Sequence, residues 1–467
     1  MTDIELKPGL DEDLDASSNR DVHLSREFVE NVHDAVRENN EQAVHELVDT
    51  LHAADLADLL EGLSSGYRKS IIRMLGDTLD PEVLHELEGL AQDEIYDSIS
   101  NEQIALAVSD MDTDDSVYVL EELDEEDQKE VLNALHADDR AAIIEGLAYP
   151  EESAGRLMQR DLVALPEYWT VGQAIDFLRD ANENIADTFY EIFIVDPGYK
   201  PIGTMHLSTL LRAHRPKKLG DLMKREQHLI NAMDDQEDVA YYFTKYHLIS
   251  AAVINDTGRL VGMITVDDVV DVIGDEAKED IMALAGVRES GLNESIIDMT
   301  KSRFVWLFVN LLTAVLASTV IALFDASIEQ MVSLAVLMPI VASMGGNAGT
   351  QTMTVAVRAI ATKELNTNNT WRTLNREFRV SVLNGSMLAI VAGIVAWLWF
   401  DNATLGLVFA SAMIFNLIVA GLSGLLVPIT LDRIGVDPAI SSSVFVTTIT
   451  DVVGFFVFLG LAAAIIL

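Results

Sequence analysis

Three oxygen-bearing side chains recur at four-residue intervals in the last apolar stretch of the sequence. They are Ser443, Thr447 and Asp451, and on a helix this spacing places them on one face. A carboxylate inside an apolar span is costly and is by default functional. The stretch contains no Lys or Arg that could neutralise it. We interpret the face as a cation site; the alternative is a carboxylate neutralised by protonation or by a buried arginine.

A two-fold dimer would bring two copies of this face together. Such an arrangement places a pair of carboxylates on the axis, which suits a hydrated divalent ion.

The second apolar stretch carries residues that disfavour a helix. Pro339 removes a backbone donor, and the glycines that follow it weaken the helix further. Non-helical backbone at membrane depth is tolerated only where it is buried or lines a watery cavity. We therefore predict an interrupted span beside a cation pathway, with a small-residue packing face as the alternative. The residues concerned are Pro339, Gly345, Gly346, Asn347, Gly349 and Gln351.

Five apolar stretches are each longer than the roughly 20 residues that cross a bilayer. They lie at about 303–324, 329–360, 378–400, 404–431 and 438–466. Basic residues precede the first stretch and surround the connection after the second, whereas the first and third connections have none. This bias predicts cytoplasmic N-terminal domains and, after five spans, a C-terminus outside the cell membrane.

Acidic residues dominate the part of the chain before these spans. The net charge is -44, and only eight Lys or Arg and eight Asp or Glu lie from Thr300 onward. Nucleic acid is not expected as a partner for so acidic a surface, because its binding rests on basic residues. Cations are the expected partners; the alternative is general surface acidity, as in a protein adapted to high salt. With no cysteine, thiolate metal sites and disulfides are excluded as well.

The pattern of apolar residues changes twice along the chain. Apolar residues recur at three and four positions before about Ala148, which predicts stacked helix pairs. Strands and helices then alternate in two similar segments of sequence. Met158 in the first segment corresponds to Met223 in the second, and Gly203 corresponds to Gly262. The predicted domains are a disordered acidic tail at 1–20, an all-α superhelical domain at 21–148, α/β units at 149–214 and 215–278, a connecting helix at 279–300 and an α-helical membrane domain with five transmembrane helices at 301–467.

A run of carboxylates follows the second α/β unit. Asp267, Asp271 and Asp275 are four apart on a helix, and Asp268 is three from Asp271. Like charges at these spacings destabilise the helix unless a cation or a basic partner compensates. Mg²⁺ suits a loose cluster of this kind because it binds through few carboxylates and keeps several waters. The alternative is a solvated acidic helix.

Motifs from most of the chain together resemble the MgtE-type magnesium channel family. The duplicated unit looks like a pair of CBS domains, and the junction from Tyr149 to Met158 looks like the start of that pair in this family. The glycine-rich stretch from Gly345 to Gln351 is similar to the family's signature. Asp437-Pro-Ala and Thr448-Ile-Thr-Asp451-Val-Val-Gly are similar to its last span.

The resemblance implies roles for particular residues. Asp451 would be the pore acid that holds hydrated Mg²⁺, and the connecting helix would be the family's plug helix. Thr265 and Asp268 match the Thr-x-x-Asp that holds a ribose in nucleotide-binding CBS pairs, so ATP is implied as a ligand. The chain departs from the family at His247 and Gly421, where an acidic residue and an asparagine are usual. The implied regulatory Mg²⁺ ligands are Asp235, Glu237, Asp268, Asp271, Glu276, Glu279 and Asp280.

The sequence therefore predicts a homodimeric, Mg²⁺-selective channel in the lipid membrane, closed when cytosolic Mg²⁺ bridges the acidic domain interfaces. One alternative is a coupled secondary transporter of Mn²⁺, Co²⁺ or another divalent ion, in which Asp451 exchanges protons. A second is a membrane-anchored nucleotide sensor, against which the polar face of the last span argues. An enzyme is not expected, because the sequence offers no nucleophile, base or phosphate loop.

Overall fold

A computed structural model of the chain describes residues 24–180, 189–287, 296–366 and 368–466. These residues fall into two compact units. The first comprises the residues up to Gln236 together with Leu248–Val266, and the second comprises Glu237–His247 together with the residues from Asp267 on. The predicted tail at 1–20 lies outside the described residues, as does Gly291 in the predicted connecting helix.

Short helices with a shared apolar core form the N-terminal part of the first unit. Serine and asparagine caps begin several of them; Ser100, for example, forms a capping box with Gln103. Most helices pack against the helix two places along the chain, as α2 does on α4 and α4 on α6, which confirms the all-α prediction. The helices are α1 (Arg26–Arg37), α2 (Glu41–Val48), α3 (Ala53–Gly62), α4 (Ser65–Leu75), α5 (Glu82–Glu86), α6 (Gly89–Tyr96), α7 (Asn101–Asp110), α8 (Thr113–Glu121), α9 (Glu125–Ala134) and α10 (Ala137–Leu147).

Two small sheets of the same topology follow. In each, the first strand is parallel to the second and the second is antiparallel to the third. The elements of the first repeat are β1 (Ala164–Pro166), α11 (Val171–Arg179), β2 (Glu191–Val195), β3 (Pro201–His206) and α12 (Leu207–Arg212). Those of the second are β4 (Leu229–Asn231), α13 (Gln236–Tyr246), β5 (Ser250–Ile254), β6 (Leu260–Thr265) and α14 (Val266–Leu284). The predicted duplication is confirmed.

Equivalent methionine–glycine contacts hold the two repeats in place. A Cβ on Gly262 would lie 2.7 Å from Met158 Sδ, and one on Gly203 would lie 2.8 Å from Met223 Sδ. The segment just before each repeat also pairs with a strand of the other repeat. Gln159 pairs with Met263 of β6, and Lys224 pairs with Thr204 of β3. The glycines are therefore required because a methionine from the entering segment occupies the space of their side chains.

Long helices make up the remainder of the second unit. They are α15 (Ile296–Ala322), the short α16 (Asp325–Gln330), α17 (Ser333–Ala361), α18 (Thr370–Phe400), α19 (Ala403–Arg433) and α20 (Pro438–Ile465). Among the described residues, four segments are long and apolar enough to cross a membrane: Met299–Ala322, Thr370–Phe400, Ala403–Arg433 and Ser442–Ile465. The second predicted span, α17, has 29 residues but is not among these four segments, so the count of five spans stays a prediction.

The prediction of an interrupted span is wrong for α17. The helix continues through Pro339 and through the glycines that follow it. A Cβ on Gly345 would collide with the Asn416 amide, whereas one on Gly349 would lie 2.5 Å from Val446 Cγ1. These glycines serve as close-packing positions, which was the alternative interpretation. A buried backbone group without a partner is costly in hydrocarbon, so the helical hydrogen bonds persist despite the low helix propensity of glycine.

We expect Gly349→Ala and Gly346→Ala to change stability in opposite directions. The first adds a methyl group against Val446 and should lower the free energy of unfolding by about 1–3 kcal/mol, the range for overpacked cores. The second meets nothing within 4 Å and should be neutral or raise it by up to about 1 kcal/mol through helix propensity. Thermal unfolding of the two purified proteins in the same detergent measures the difference. Equal stabilities would contradict the packing role.

Candidate cation site and its regulatory helix

The three predicted ion ligands lie on one continuous helix, α20, and their role as ligands stays a prediction. Asp451 and Ser443 are half-buried and Thr447 is exposed. Among the described residues, Asp451 receives no hydrogen bond and forms no ion pair, so the neutralising arginine of the alternative interpretation is absent from that part of the chain. A carboxylate placed in this way requires compensation from a cation or a proton.

The predicted residues of α17 divide between two sides of that helix. Gly345 and Gly349 are buried on the side that packs against α19 and α20, whereas Asn347 and Gln351 are exposed. Pro339 is exposed as well. The structure of one chain therefore does not bring the two amides onto Asp451, and their part in a pathway stays a prediction.

Asn416 of α19 is a buried polar residue that the sequence interpretation missed. Its side chain is completely buried, and Nδ2 donates a hydrogen bond to the Val341 carbonyl oxygen at 2.8 Å. Glycines of two other helices face it, Gly345 on α17 and Gly454 on α20. Asn416 thereby ties three helices together next to the ion face. An asparagine amid apolar residues, with glycines at matching depth in neighbouring spans, is the signal that could have found it.

The acidic helix α14 ends against the membrane helices. Its last residues Ala283 and Leu284 share an apolar cluster with Met353 of α17 and with Ala439 and Val446 of α20. Asp271 is exposed, whereas Asp268, Glu276, Glu279 and Asp280 are half-buried. Five of the seven predicted regulatory carboxylates thus lie on a helix whose end packs at the start of α20.

Asp280 near the end of α14 faces the charge of Asp437, the N-cap of α20. Burial, followed by the negative charge of Asp437, raises the pKa of Asp280. Oδ1 of Asp437 also accepts a hydrogen bond from the Ala439 backbone N–H at 2.7 Å. Two carboxylates that repel one another at a helix contact form a place where a cation would stabilise the contact.

The pH dependence of this contact follows from the direction of the shift. The folded state holds the Asp280 proton to a higher pH than the unfolded chain does. As the pH rises from the ordinary pKa of an aspartate to the raised pKa of Asp280, this carboxyl therefore lowers the free energy of unfolding. Asp437→Asn removes the charge but keeps an N-cap. We expect it to raise the melting temperature at pH 7 in chelator by a few degrees and to reduce the additional stabilisation by Mg²⁺.

The control for Asp437→Asn is Asp401→Asn, which also removes one charge. Asp401 is the C-cap of α18 and has a φ of 48°, a conformation that asparagine tolerates. Identical melting temperatures and identical Mg²⁺ responses for Asp437→Asn and the unmodified protein would refute the electrostatic coupling of α14 to α20.

A second contact joins α13 to the connection between α17 and α18. Lys363 forms an ion pair with Asp238, and its Nζ lies 4.7 Å from the centroid of the Tyr241 ring. Lys363 has φ 54° just after the end of α17, a position where glycine is favoured. The ion pair joins two residues that are 125 positions apart in the sequence.

The remaining predicted ligands occupy separate positions. Asp235 pairs with Ser153 in an isolated antiparallel bridge, and Glu237 lies in the first turn of α13. His247 follows α13 with φ 53°. Thr265 is the last residue of β6, and Asp268 lies in the first turn of α14. Within the described residues, no three acidic or histidine side chains are grouped closely enough to hold a metal ion directly.

Comparisons with known proteins agree with this architecture. A family model described as a divalent cation transporter, MgtE, matches residues 338–461, and the MgtE intracellular N domain matches 51–152. CBS domain models match 154–215 and 219–275. A magnesium transporter MgtE from Bacillus subtilis is 31% identical over 421 residues, covering 90% of this chain and 93% of that protein. The chain belongs to the MgtE family.

Another MgtE-family protein, a magnesium transporter from Thermus thermophilus, is 30% identical over 447 residues, which cover 94% of this chain and 98% of that one. Among solved structures, the cytosolic domain of the Mg²⁺ channel MgtE in complex with ATP is similar at 28% identity, with a TM-score of 0.49. It covers 52% of this chain and 99% of its own. The predicted family and the multidomain layout, with apolar helices of a multi-pass membrane protein, are confirmed.

Proposed function

We propose that this chain is a Mg²⁺ channel of the cell membrane that works as a homodimer and is closed by Mg²⁺ bound on its cytoplasmic side. The observation that carries the proposal is the packing of the acidic helix α14 against the start of α20, the helix that presents Asp451. Two relatives named as magnesium transporters support Mg²⁺ as the ion.

The ion path follows the polar face of α20. Hydroxyl and carboxylate oxygens are ligands that Mg²⁺ accepts through its water shell, and Ser443, Thr447 and Asp451 supply them along about two turns of helix. One carboxylate per chain provides a single charge. A two-fold pair of chains would bring two such charges to the path and match the charge of one divalent ion.

Closure acts through α14. With Mg²⁺ between carboxylates such as Asp280 and Asp437, the end of α14 is held against α17 and α20. When the ion is lost, the like charges repel one another and the contact is weakened. Movement of α14 then changes the packing of the helix that carries the ion face.

Lys363 gives α13 a second route to the membrane helices. Its ion pair with Asp238 and its position over Tyr241 connect α13 to the turn between α17 and α18. Both side chains are roughly half-exposed, so the pair is weak alone and open to competition by a divalent ion for Asp238. A rise in Mg²⁺ can therefore act on α13 as well as on α14.

Orientation and nucleotide binding complete the proposal. The basic residues beside α15 and between α17 and α18 support a cytoplasmic location for the N-terminal domains and an external C-terminus. Thr265 and Asp268 stay the proposed ribose ligands for ATP at the CBS pair, since β6 ends and α14 begins there.

Mg²⁺ flux into liposomes tests the proposal. The full chain is reconstituted with a Mg²⁺-sensitive dye inside the vesicles, and Mn²⁺ or Co²⁺ is added as a competitor. We expect Mg²⁺ entry that falls as Mg²⁺ rises on the side of the N-terminal domains and that needs no proton gradient. Entry that requires a proton gradient would replace the channel by a coupled transporter, and no entry of any divalent ion would reject both.

A further inference from the structure

A cavity of about 190 Å³, with both polar and apolar residues in its lining, lies between α17, α18 and α19, apart from the ion face of α20. Its polar lining includes Gln351 of α17 and Glu377, Ser381 and Asn384 of α18. The last three recur at intervals of four and three residues, so α18 presents them on one face. One water takes roughly 30 Å³ in the liquid, so the cavity has room for several waters.

Gly421 of α19 forms part of the cavity wall. A Cβ added there would collide with Ser381 Oγ, so α18 and α19 approach closely at this level. The absence of a side chain at Gly421 makes room for Ser381 in this part of the cavity wall.

Glu377 is the charged group of the cavity. Its side chain is 17% exposed and lies in a helix apolar enough to cross a membrane. It forms an ion pair with the adjacent Arg376 at 3.6 Å, but the Arg376 side chain is 69% exposed. A solvated guanidinium at that distance compensates a largely buried carboxylate weakly. A cation in the cavity would compensate it more fully.

The oxygen ligands determine the class of cation. A carboxylate, amide carbonyls and a hydroxyl are hard ligands, and Mg²⁺ is commonly bound through one or two carboxylates while it keeps several waters. Direct binding by several acidic groups is excluded within the described residues, since they contain no such cluster. We propose that this cavity binds a hydrated divalent cation, with Glu377 supplying charge and Gln351, Ser381 and Asn384 hydrogen-bonding to its waters.

This site would lie in the N-terminal half of α18, at Glu377 to Asn384. This inference rests on the proposed Mg²⁺ transport, and it adds a second binding site for the ion, away from Asp451. A cation held there would raise the local concentration of ions available to the path. Its loss should therefore affect flux most when Mg²⁺ is scarce.

Two measurements on the full-length protein test the site. The first is anomalous scattering from crystals soaked in hexaamminecobalt(III), an inert analogue of hydrated Mg²⁺. We expect density in the cavity that is lost in Glu377→Gln. The second is Mg²⁺ flux into liposomes, where Glu377→Gln should lower the rate about tenfold at limiting Mg²⁺ and much less at saturation. Glu364→Gln, an exposed carboxylate outside the cavity, should match the unmodified protein.

Each outcome decides one question. An empty cavity together with unchanged flux in Glu377→Gln overturns the site while leaving Mg²⁺ transport intact, because the unmodified protein still conducts. Density for Rb⁺ but not for hexaamminecobalt(III) overturns the divalent class. If Glu377→Gln does not fold, Asn384→Leu, which removes an oxygen ligand and keeps the charge, should still lower flux at limiting Mg²⁺; unchanged flux in that variant also overturns the site.

Discussion

Replacing Asp451 by alanine is expected to lower Mg²⁺ flux by about a hundredfold or more while the protein still folds and dimerises. A partly desolvated charge pair is worth roughly 3 kcal/mol, and each 1.4 kcal/mol is a factor of about ten. Asp451 is half-buried on α20 and forms no hydrogen bond or ion pair through its side chain among the described residues, so no polar contact of the fold is lost with it. Uptake by reconstituted liposomes measures the change.

The matched control for Asp451→Ala is Asp325→Ala. Asp325 is an exposed carboxylate of the same membrane domain in the first turn of α16, away from the polar face of α20. It should conduct as the unmodified protein does. If Asp451→Ala also conducts normally while eluting as a folded protein, the assignment of the ion face to α20 is wrong.

Neutralising the acidic face of α14 is expected to leave the channel open at high Mg²⁺. The triple variant Asp268→Asn, Asp271→Asn and Glu276→Gln removes three carboxylates from one helix that ends against α20. Without them Mg²⁺ has fewer ligands, whereas the repulsion between Asp280 and Asp437 that weakens the closed contact is left in place. We expect the Mg²⁺ concentration for half-closure to rise at least about tenfold, equivalent to about 1.4 kcal/mol of lost ion binding.

An equal loss of charge elsewhere controls for the change in net charge. Neutralising Glu27, Glu30 and Glu38, which are exposed on or just after α1, removes as many carboxylates far from α14 along the chain. Flux recorded against Mg²⁺ on the side of the N-terminal domains compares the two triple variants. Normal closure in the α14 variant, or a matching shift in the α1 variant, would show that α14 is not the sensor.

Periodicity allowed much of the fold to be predicted. The helix at Val171–Arg179 and the strand at Leu260–Thr265 lie where the alternating pattern placed them. The matched methionines and glycines of the duplicated unit, first seen as an offset in the sequence, proved to be contacts between entering segments and strands. These features are local or repeated, so each can be recognised from the order of the residues in the sequence.

Contacts between distant segments account for what the sequence could not predict. Pro339 and the glycines suggested a broken helix because propensity is local, whereas packing against Asn416 and Val446 keeps α17 continuous. Likewise α14 runs past the expected domain boundary at 278 and meets α20. Neither the partner of Lys363 nor the cavity at Glu377 can be read from spacing, since each depends on how helices far apart in sequence come together.

The most direct measurement of the central claim is the current through the purified chain in a planar bilayer, with Mg²⁺ as the only permeant cation and equal pH on both sides. We predict discrete Mg²⁺ currents that disappear when Mg²⁺ is raised on the side of the N-terminal domains and that are absent in Asp451→Ala. A silent bilayer, with Mg²⁺ uptake into liposomes appearing only under a proton gradient, would contradict the channel.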